Sequence, residues 1–283
     1  MSEFPRTKVE NLSLSRMIVG TNWFMGFSHT SQARDSYIKA VMTPSKIADI
    51  LEVFLNAGVD TMMGRVTEEI MLAAIEEAQQ RAGRKMIKIG TPHFFTQPGK
   101  EDPDHIKEVL DQQAAAGVSI CMPHQCTTDA LVDRFERKIR RMDGYCALIR
   151  QRGMIPGLST HMPESVVYAD ETNLDVGTYI QIYNAAGFLM QVEVDWVHRI
   201  IQNAAKPVMT IKPMAAGRLL PLVGMAFNWA TIRDKDMVAV GTLTPDEAKE
   251  LIEISLSVLD RRSPEVPLQR TRSKVIVEPA KKN

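Results

Sequence analysis

Three of the six histidines in this chain follow short apolar segments of strand length. They are His93, His124 and His161, and each comes within a few residues of the end of such a segment. Neutral imidazoles are common ligands of zinc and related ions, and a catalytic zinc site takes about three protein ligands and keeps one position open. The three histidines are therefore candidate metal ligands. The alternative is that each forms hydrogen bonds with loop backbone or with a substrate.

Two further polar residues belong to the ends of apolar segments and could transfer protons. Lys212 follows the segment 207–211, where a lysine can act as a Schiff-base amine or as a charge that binds an anion. Asp60 lies in the segment 59–62 and is a candidate general base. A plain salt bridge for Lys212 and a polar cap of the following loop for Asp60 are the structural alternatives.

The three cysteines are Cys121, Cys126 and Cys146, which are too few and too clustered for a disulfide framework. We expect free thiols. Cys121 and Cys126 flank His124 with a spacing that is not a recognised zinc pattern, so we expect buried thiols there rather than metal ligands.

The elements that must position these residues are eight short apolar segments, which alternate with longer amphipathic ones. This alternation is typical of parallel strands with helical crossovers, and eight repeats predict a (β/α)8 TIM barrel of the α/β class. Functional side chains in that fold come from the C-terminal ends of the strands. The predicted strands are residues 16–20, 59–62, 86–91, 118–122, 155–159, 177–181, 207–211 and 237–241.

Helix start signals agree with this pattern. Thr43 and Thr244 each place a hydroxyl cap before a proline at the first helical position, and Glu247 fits a capping box with Thr244.

Two segments fall outside the repeat. The first βα loop, 21–43, is far longer than usual, and we expect it to cover the barrel mouth, either as a packed lid or as a structural patch. The tail, 263–283, contains prolines and a lysine-rich end, so we expect an extended strap that ends in disorder. A single barrel domain is predicted over residues 1–262.

Composition excludes several classes of partner. Lys plus Arg equals Asp plus Glu at 34 each, so no net positive charge is present to bind nucleic acid. No apolar run has the length of a membrane span, and the N-terminus lacks the apolar core of a signal peptide. We therefore expect a cytoplasmic protein with a small-molecule substrate and no membrane partner. The tail could cover its own barrel or contact a second copy in a homo-oligomer.

The order and spacing of several segments resemble the aldo/keto reductase superfamily, particularly its bacterial branch related to ferredoxin-associated members. The resemblance covers most of the chain and implies an aldo/keto-reductase-like barrel. It also implies carbonyl reduction with NADP or NAD by a tyrosine acid, assisted by aspartate, lysine and histidine. The segments that carry it are residues 18–22, 56–60 with 68–70, 157–161, 179–184, 212–219 and 240–241.

Most of the catalytic tetrad that the resemblance implies is missing. His124 corresponds to the histidine, but the aspartate position falls on Met63, and no tyrosine follows within residues 64–67. The lysine position falls on Pro92 or His93. Hydride transfer to a carbonyl needs a positioned acid, which commonly contributes about 10² to 10⁴ in rate, so another group would have to replace the tyrosine. Tyr37, in the first loop, is one candidate.

The resemblance also implies a cofactor-binding set. If the family pattern holds, Asn22, Ser159, Gln181, Gly241 and Thr242 would lie near the nicotinamide cofactor. Against NADP, Asp246 and Glu247 fall in the first turn of the last helix, where their charge would repel a phosphate.

Two enzymatic hypotheses follow. The first is a divergent aldo/keto-reductase-like enzyme that acts on a small polar carbonyl or sugar-like substrate at the barrel mouth, with His124, His93, Asp60 and Lys212 as its candidate catalytic residues. The second is a metal-dependent lyase, isomerase or hydrolase that holds a divalent metal such as zinc with His93, His124 and His161. A barrel that only binds a ligand is a third hypothesis, and the clustered histidines argue against it.

Overall fold

The computed structural model describes residues 3–94 and 102–267, together with 271 and 274. Within them, nine parallel strand segments close into a barrel of eight strands, since two of the segments are halves of one strand, so the predicted (β/α)8 fold is confirmed. An antiparallel hairpin, β1 and β2, precedes the barrel, and a second small hairpin, β7 and β8, lies outside it. The strands are β1 (Arg6–Val9), β2 (Leu12–Ser15), β3 (Met17–Gly20), β4 (Thr61–Gly64), β5 (Ile87–Gly90), β6 (Val118–Cys121), β7 (Val132–Asp133), β8 (Lys138–Ile139), β9 (Ile155–Pro156), β10 (Leu158–Ser159), β11 (Tyr179–Ile182), β12 (Val208–Ile211) and β13 (Met237–Val240).

The barrel closes through a strand that is broken at Gly157. The strand order is β10-β11-β12-β13-β3-β4-β5-β6-β9, and β9 and β10 are consecutive halves of one extended segment. The N–H of Gly157 donates to the carbonyl of Cys121 on one side, and the N–H of Leu158 donates to the carbonyl of Thr178 on the other. Each half therefore pairs with a different neighbour, and together they join the two edges of the sheet.

Helices connect the strands and cover the outside of the barrel. Thr43 and Thr244 cap their helices as predicted, since each hydroxyl accepts a hydrogen bond from an N–H of the first turn. The carboxylate of Glu247 accepts from the N–H of Leu243 rather than from Thr244, which is a variant of the predicted capping box. The helices are α1 (Gln32–Val41), α2 (Pro44–Asn56), α3 (Glu69–Ala82), α4 (Pro103–Ala115), α5 (Gln125–Ala130), α6 (Met142–Arg150), α7 (Glu164–Glu171), α8 (Val194–Asn203), α9 (Pro221–Thr231) and α10 (Pro245–Leu259).

The N-terminal end of the barrel is closed by the β1–β2 hairpin. Val9 and Leu14 from the hairpin are fully buried in the same apolar cluster as Ile18, Ile89 and Ile120, which fill the barrel interior. A second and larger apolar cluster lies between the strands and the surrounding helices. Because the hairpin fills one end, the interior opens only toward the C-terminal ends of the strands, where this fold places its active sites.

The first βα loop, predicted as 21–43, contains a helix of its own. Ser31 caps α1 through its hydroxyl, and the Asp35 carboxylate accepts hydrogen bonds from the N–H and the hydroxyl of Ser28. Phe24 and Ile38 of the loop are buried in the apolar cluster between the strands and the helices, so the loop is packed against the barrel. Of the tail, 263–283, the structure describes 263–267, 271 and 274, and the remainder of the predicted strap lies outside the described residues. No helix among the described residues is long and apolar enough to cross a membrane.

Candidate active site

A cavity of about 670 Å³ occupies the C-terminal mouth of the barrel. Its floor consists of apolar side chains from the barrel interior, including Met63, Ile180 and Ala239. Its walls come from the loops that follow the strands, and they carry most of its polar groups. The predicted site residues that line it are Asn22, His93, His124, Ser159, His161, Lys212, Gly241 and Thr242.

Two of the three predicted histidines meet at a cysteine. The Nδ1 atoms of His93 and His124 both lie 3.1 Å from the Sγ atom of Cys126. The two imidazole rings stack, with centroids 4.1 Å apart. Cys126 is exposed, so the expectation of a buried thiol at this position is wrong. The loops after β5 and β6 run side by side because those strands are paired, and this pairing brings His93 and His124 together.

The backbone at the start of α5 sets the tautomer of His124. Its Nδ1 accepts a hydrogen bond from the N–H of Cys126, 3.4 Å away, and caps the helix. Nδ1 is therefore unprotonated, and the proton of the neutral ring is on Nε2. The Cys126 thiol can then donate to His124 Nδ1 while it accepts from His93 Nδ1. His124 thus has an Nε2–H donor available for a ligand.

The histidines of the mouth are neutral at pH 7. Burial, with contributions from His93 and the nearby cations Arg65 and Lys212, lowers the pKa of His124 to about 4. Burial also lowers the pKa of His161 to about 4, and it lowers the pKa of His93. Neutral imidazoles can donate one hydrogen bond and accept another, or bind a metal.

His161 stands apart from the His93–Cys126–His124 cluster. Its backbone N–H donates to the Asp129 carboxylate of α5 at 3.2 Å, and the neighbouring Thr160 hydroxyl donates to the same carboxylate at 2.6 Å. Among the described residues, the group whose ligand atoms all lie within 4.8 Å is His93, His124 and Cys126. The predicted three-histidine ligand set is therefore not brought together by the fold.

Lys212 projects into the cavity from the end of β12. Its Nζ donates a hydrogen bond to Nε2 of His29 at 2.9 Å. His29 can accept because it is neutral: partial burial and the nearby Lys212 ammonium both lower the pKa of His29. Burial lowers the pKa of Lys212 to about 8. Among the described residues no carboxylate pairs with Lys212, so the salt-bridge alternative is wrong.

The backbone around Lys212 is strained. Lys212, Ala215 and Ala216 have φ values of 60°, 51° and 55°, in the left-handed region that residues other than glycine seldom adopt. Strained backbone of this kind clusters at functional sites, where the surrounding structure holds it in place.

Asp60 lies at the opposite end of the barrel. β4 begins at Thr61, two residues later than predicted, so Asp60 precedes the strand instead of approaching its C-terminal end. Its carboxylate accepts from the guanidinium of Arg6 at 2.7 Å and from the N–H of Ser15 at 3.3 Å. The expectation of a general base at the mouth is therefore corrected: Asp60 ties the β1–β2 hairpin to the barrel.

Gln181 faces away from the cavity. Side chains alternate along β11, and Ile180 faces the barrel interior while the Tyr179 hydroxyl reaches Asp170 of α7 on the outside. Gln181 shares the outward side with Tyr179. It is buried, and its amide N and O have no hydrogen-bond partner among the described residues. It does not line the predicted cofactor site.

Within the part of the chain that the structure describes, the cavity contains no tyrosine that could serve as the acid, in agreement with the missing tetrad positions that the resemblance implies. None of the five tyrosines, all of which the structure describes, lines the cavity. Tyr37 is 57% exposed on α1, so the structure does not support it as a replacement acid. Among the described residues, the carboxylates that line the cavity are Glu247 and Glu250.

The residues present do not fit a nicotinamide phosphate well. The carboxylate of Glu247 already accepts from the N–H of Leu243 at 2.6 Å, at the helix end where a phosphate would bind. Trp23 packs so closely on Gly241 that a Cβ there would lie 2.5 Å from its Cδ1 atom. The buried hydroxyl of Thr242 has no partner among the described residues, which is the one feature that favours a further ligand there.

Several residues of the mouth were not identified from the sequence. Arg34 and Arg65 line the cavity rim and add positive charge to that of Lys212. Cys126 was considered beside His124 but was expected to be a buried thiol; its position two residues after a histidine at a helix start is the local signal for its contact with that histidine. The contact between His29 and Lys212 joins residues that are far apart in the chain, so no local pattern could have indicated it.

Comparisons by sequence find no matching protein-family model and no matching curated protein. Solved structures do match. A protein from Pseudomonas aeruginosa assigned to the aldo-keto reductases is 13% identical, with a TM-score of 0.63 over 90% of this chain and 94% of that one. The holo form of an aldo-keto reductase from Bacillus halodurans is 11% identical, with a TM-score of 0.53 over 94% and 99%.

The barrel is also shared outside the reductases. A truncated 3-deoxy-D-arabino-heptulosonate 7-phosphate synthase from Thermotoga maritima is 10% identical, with a TM-score of 0.55 over 92% of this chain and 93% of that one. Likeness at this level establishes the fold, and the reaction has to be argued from the side chains. The chain has an aldo/keto-reductase-like (β/α)8 barrel whose mouth carries neutral histidines and a lysine, and the Cys126 thiol contacts two of these histidines.

Proposed function

We propose that this protein is an enzyme that acts on a small polar carbonyl compound bearing a negative charge, and that it moves a proton at the carbon next to the carbonyl. The observation that carries the proposal is the Lys212 amine, which lies in the cavity without a carboxylate partner among the described residues and has its pKa lowered to about 8. A base works best when its pKa is near the working pH.

The neighbours of Lys212 suit the same reaction. His29 accepts its hydrogen bond and, although its ring is partly buried, the residue reaches solvent, so a proton taken by the amine can pass to solvent. His124 offers an Nε2–H donor to a carbonyl oxygen, which stabilises the charge that develops there when the adjacent carbon is deprotonated. Lys212 is thus assigned as the base and His124 as the carbonyl donor.

The charge at the rim favours an anionic substrate. Arg34 and Arg65 line the cavity on the side of β3 and β4, and the Glu68 carboxylate pairs with Arg65 at 2.8 Å. Glu247 and Glu250 lie on α10, along another part of the wall. A carboxylate or phosphate group on the substrate would bind at the arginines, with the carbonyl toward Lys212.

The nicotinamide cofactor of the aldo/keto reductases does not enter this proposal. The cavity lacks a tyrosine acid, Gln181 faces outward, and Glu247 occupies the helix end. Reduction of the same carbonyl compounds with NADPH is the competing function and is included in the test.

The test is exchange of carbon-bound hydrogen with solvent. Pyruvate, other 2-oxo acids and phosphorylated aldoses would be incubated with the chain in D2O and followed by proton NMR. We expect accelerated exchange for at least one compound. Lys212→Arg, which keeps the charge and removes the base, should lower the exchange rate by about 100-fold. Lys235→Met, at the N-terminal end of the barrel, should leave it unchanged.

Two outcomes would reject the proposal. One is the absence of accelerated exchange across the panel; the other is NADPH oxidation with these compounds without any exchange, which would restore the reductase hypothesis.

A further inference from the structure

We propose that His93, His124 and Cys126 form a binding site for one zinc ion, or a similar soft divalent transition metal, in the wall of the cavity. The inference does not depend on the carbonyl chemistry above, because it concerns metal binding alone. It also differs from the three-histidine set that the sequence indicates, since Cys126 takes the place of His161.

The three donor atoms already face one another. Sγ of Cys126 lies 3.1 Å from Nδ1 of each histidine, and the donor atoms of all three residues lie within 4.8 Å. With Zn–S near 2.3 Å and Zn–N near 2.0–2.1 Å, tetrahedral geometry places sulfur and nitrogen about 3.5–3.6 Å apart. The side chains would therefore have to separate by about half an ångström to admit the ion.

The donor types select the metal. Two neutral imidazoles and a thiolate are a borderline-soft set that suits zinc or cobalt, whereas magnesium and calcium prefer oxygen ligands. Metal binding releases the thiol proton of Cys126 and forms one metal–sulfur and two metal–nitrogen bonds. Coordination through Nδ1 leaves Nε2–H on both rings, so His124 would keep its donor.

The position of the cluster leaves room for a fourth ligand. His93 and His124 both line the cavity, and three protein ligands complete only part of a tetrahedron. A water molecule or an anionic ligand in the cavity would take the remaining position. This is the arrangement of catalytic metal sites, in contrast to the four protein ligands of structural zinc sites.

The chain provides matched controls for the thiol. Cys126 is exposed, whereas Cys121 and Cys146 are buried, and burial raises the pKa of each of the latter two to about 12. Because only Cys126 of the three thiols is accessible, a thiolate–metal signal from the folded protein should come from Cys126. His161, at the same mouth but outside the cluster, serves as the control for the histidines.

The experiment is a titration of the untagged full chain with Co²⁺ after removal of bound metal by a chelator. We expect about one equivalent to bind, with intense visible bands of tetrahedral cobalt and a sulfur-to-cobalt charge-transfer band, and Zn²⁺ should displace it. Cys126→Ser should abolish the charge-transfer band and weaken binding more than about tenfold. Cys146→Ser and His161→Asn should retain both signals.

Circular dichroism would check that each variant is folded. Absence of Co²⁺ and Zn²⁺ binding by the wild-type chain would overturn the inference, and so would a spectrum that survives Cys126→Ser but is lost in His161→Asn. Hydrogen exchange in the carbonyl assay is measured separately, so failure of either proposal can be recognised without the other.

Discussion

At the scale of single residues, the mouth of the barrel holds histidines and a lysine with lowered pKa values, beside charged arginine and glutamate side chains. Burial is the largest cause of the lowered pKa values of His124, His161 and Lys212. The titratable groups near Lys212 are His29 from the first loop, His124 after β6 and His161 after β10. All three are neutral at pH 7. Lys212 is therefore the group whose charge changes near neutral pH.

The exchange activity should rise with pH through about 8, because the unprotonated amine of Lys212 is the base. Below that pH the rate should increase about tenfold per unit, and above it the rate should level off. Exchange rates measured by NMR between pH 6 and 10 would show this profile. A profile that falls with rising pH would assign the ammonium form, and with it a different role for Lys212.

The same lysine should destabilise the folded protein. Its folded-state pKa of about 8 lies below the ordinary value of 10.5, so the unfolded chain binds more protons between these pH values. Stability should therefore rise across that window. Lys212→Met should raise the free energy of unfolding at pH 7 by about 0.5–2 kcal/mol and remove the rise. Urea unfolding at several pH values measures both effects, and Lys8→Met, at an exposed position, is the control. If stability depended on pH in Lys212→Met as it does in the wild type, the lowered pKa of Lys212 would be contradicted.

At the scale of elements, the first βα loop shapes the cavity. Its residue Trp23 lies on Gly241 at the end of β13, and the contact joins the loop to the strand that pairs with β3. α1 and the Ser28–Asp35 hydrogen bonds hold the loop in this place. A glycine is required at 241 because any side chain there would occupy the space of the indole ring.

Gly241→Ala should displace Trp23 and weaken ligand binding at the mouth. The added Cβ would lie 2.5 Å from Cδ1 of Trp23, so the ring has to move. Tryptophan fluorescence should change, and the exchange activity should fall by about tenfold or more. Gly144→Ala, where a Cβ meets nothing within 4 Å, is the matched control. Normal fluorescence and activity in Gly241→Ala would show that the contact has no functional role.

At the scale of the whole molecule, one end of the barrel contributes to stability and the other carries the candidate active site. The β1–β2 hairpin fills the N-terminal end with Val9 and Leu14 and is tied to the barrel through Arg6 and Asp60. The C-terminal end is open and carries the cavity. This division between a stabilising end and a functional end is the general plan of the fold.

Asp60→Asn should therefore lower stability without affecting the mouth. The substitution removes the ion pair with Arg6. It also replaces the carboxylate that accepts from the N–H of Ser15 by an amide, which is a weaker acceptor. We expect the free energy of unfolding to fall by about 1–2 kcal/mol, with exchange activity and cobalt binding unchanged. If Asp60→Asn kept the stability of the wild type but lost exchange activity, Asp60 would have a catalytic role after all.

Much of the fold could be predicted from the sequence. Alternating apolar and amphipathic segments are local patterns, and eight of them indicate the barrel, while Thr43 and Thr244 identify helix starts through contacts within one turn. The resemblance to the aldo/keto reductases likewise depends on the order of segments along the chain, and it agrees with the structural comparisons.

The site could be predicted only in part, because its geometry depends on strand boundaries and register. A shift of two residues at the start of β4 places Asp60 at the opposite end of the barrel, and alternation along β11 turns Gln181 outward. The pairing of β5 with β6 brings His93 to His124 and Cys126, while Asp129 holds the backbone at His161 in a separate position. Amino-acid order determined which polar groups follow the strands. Only the tertiary structure decided which of them meet, because contacts between side chains distant in sequence are set by how neighbouring strands pair.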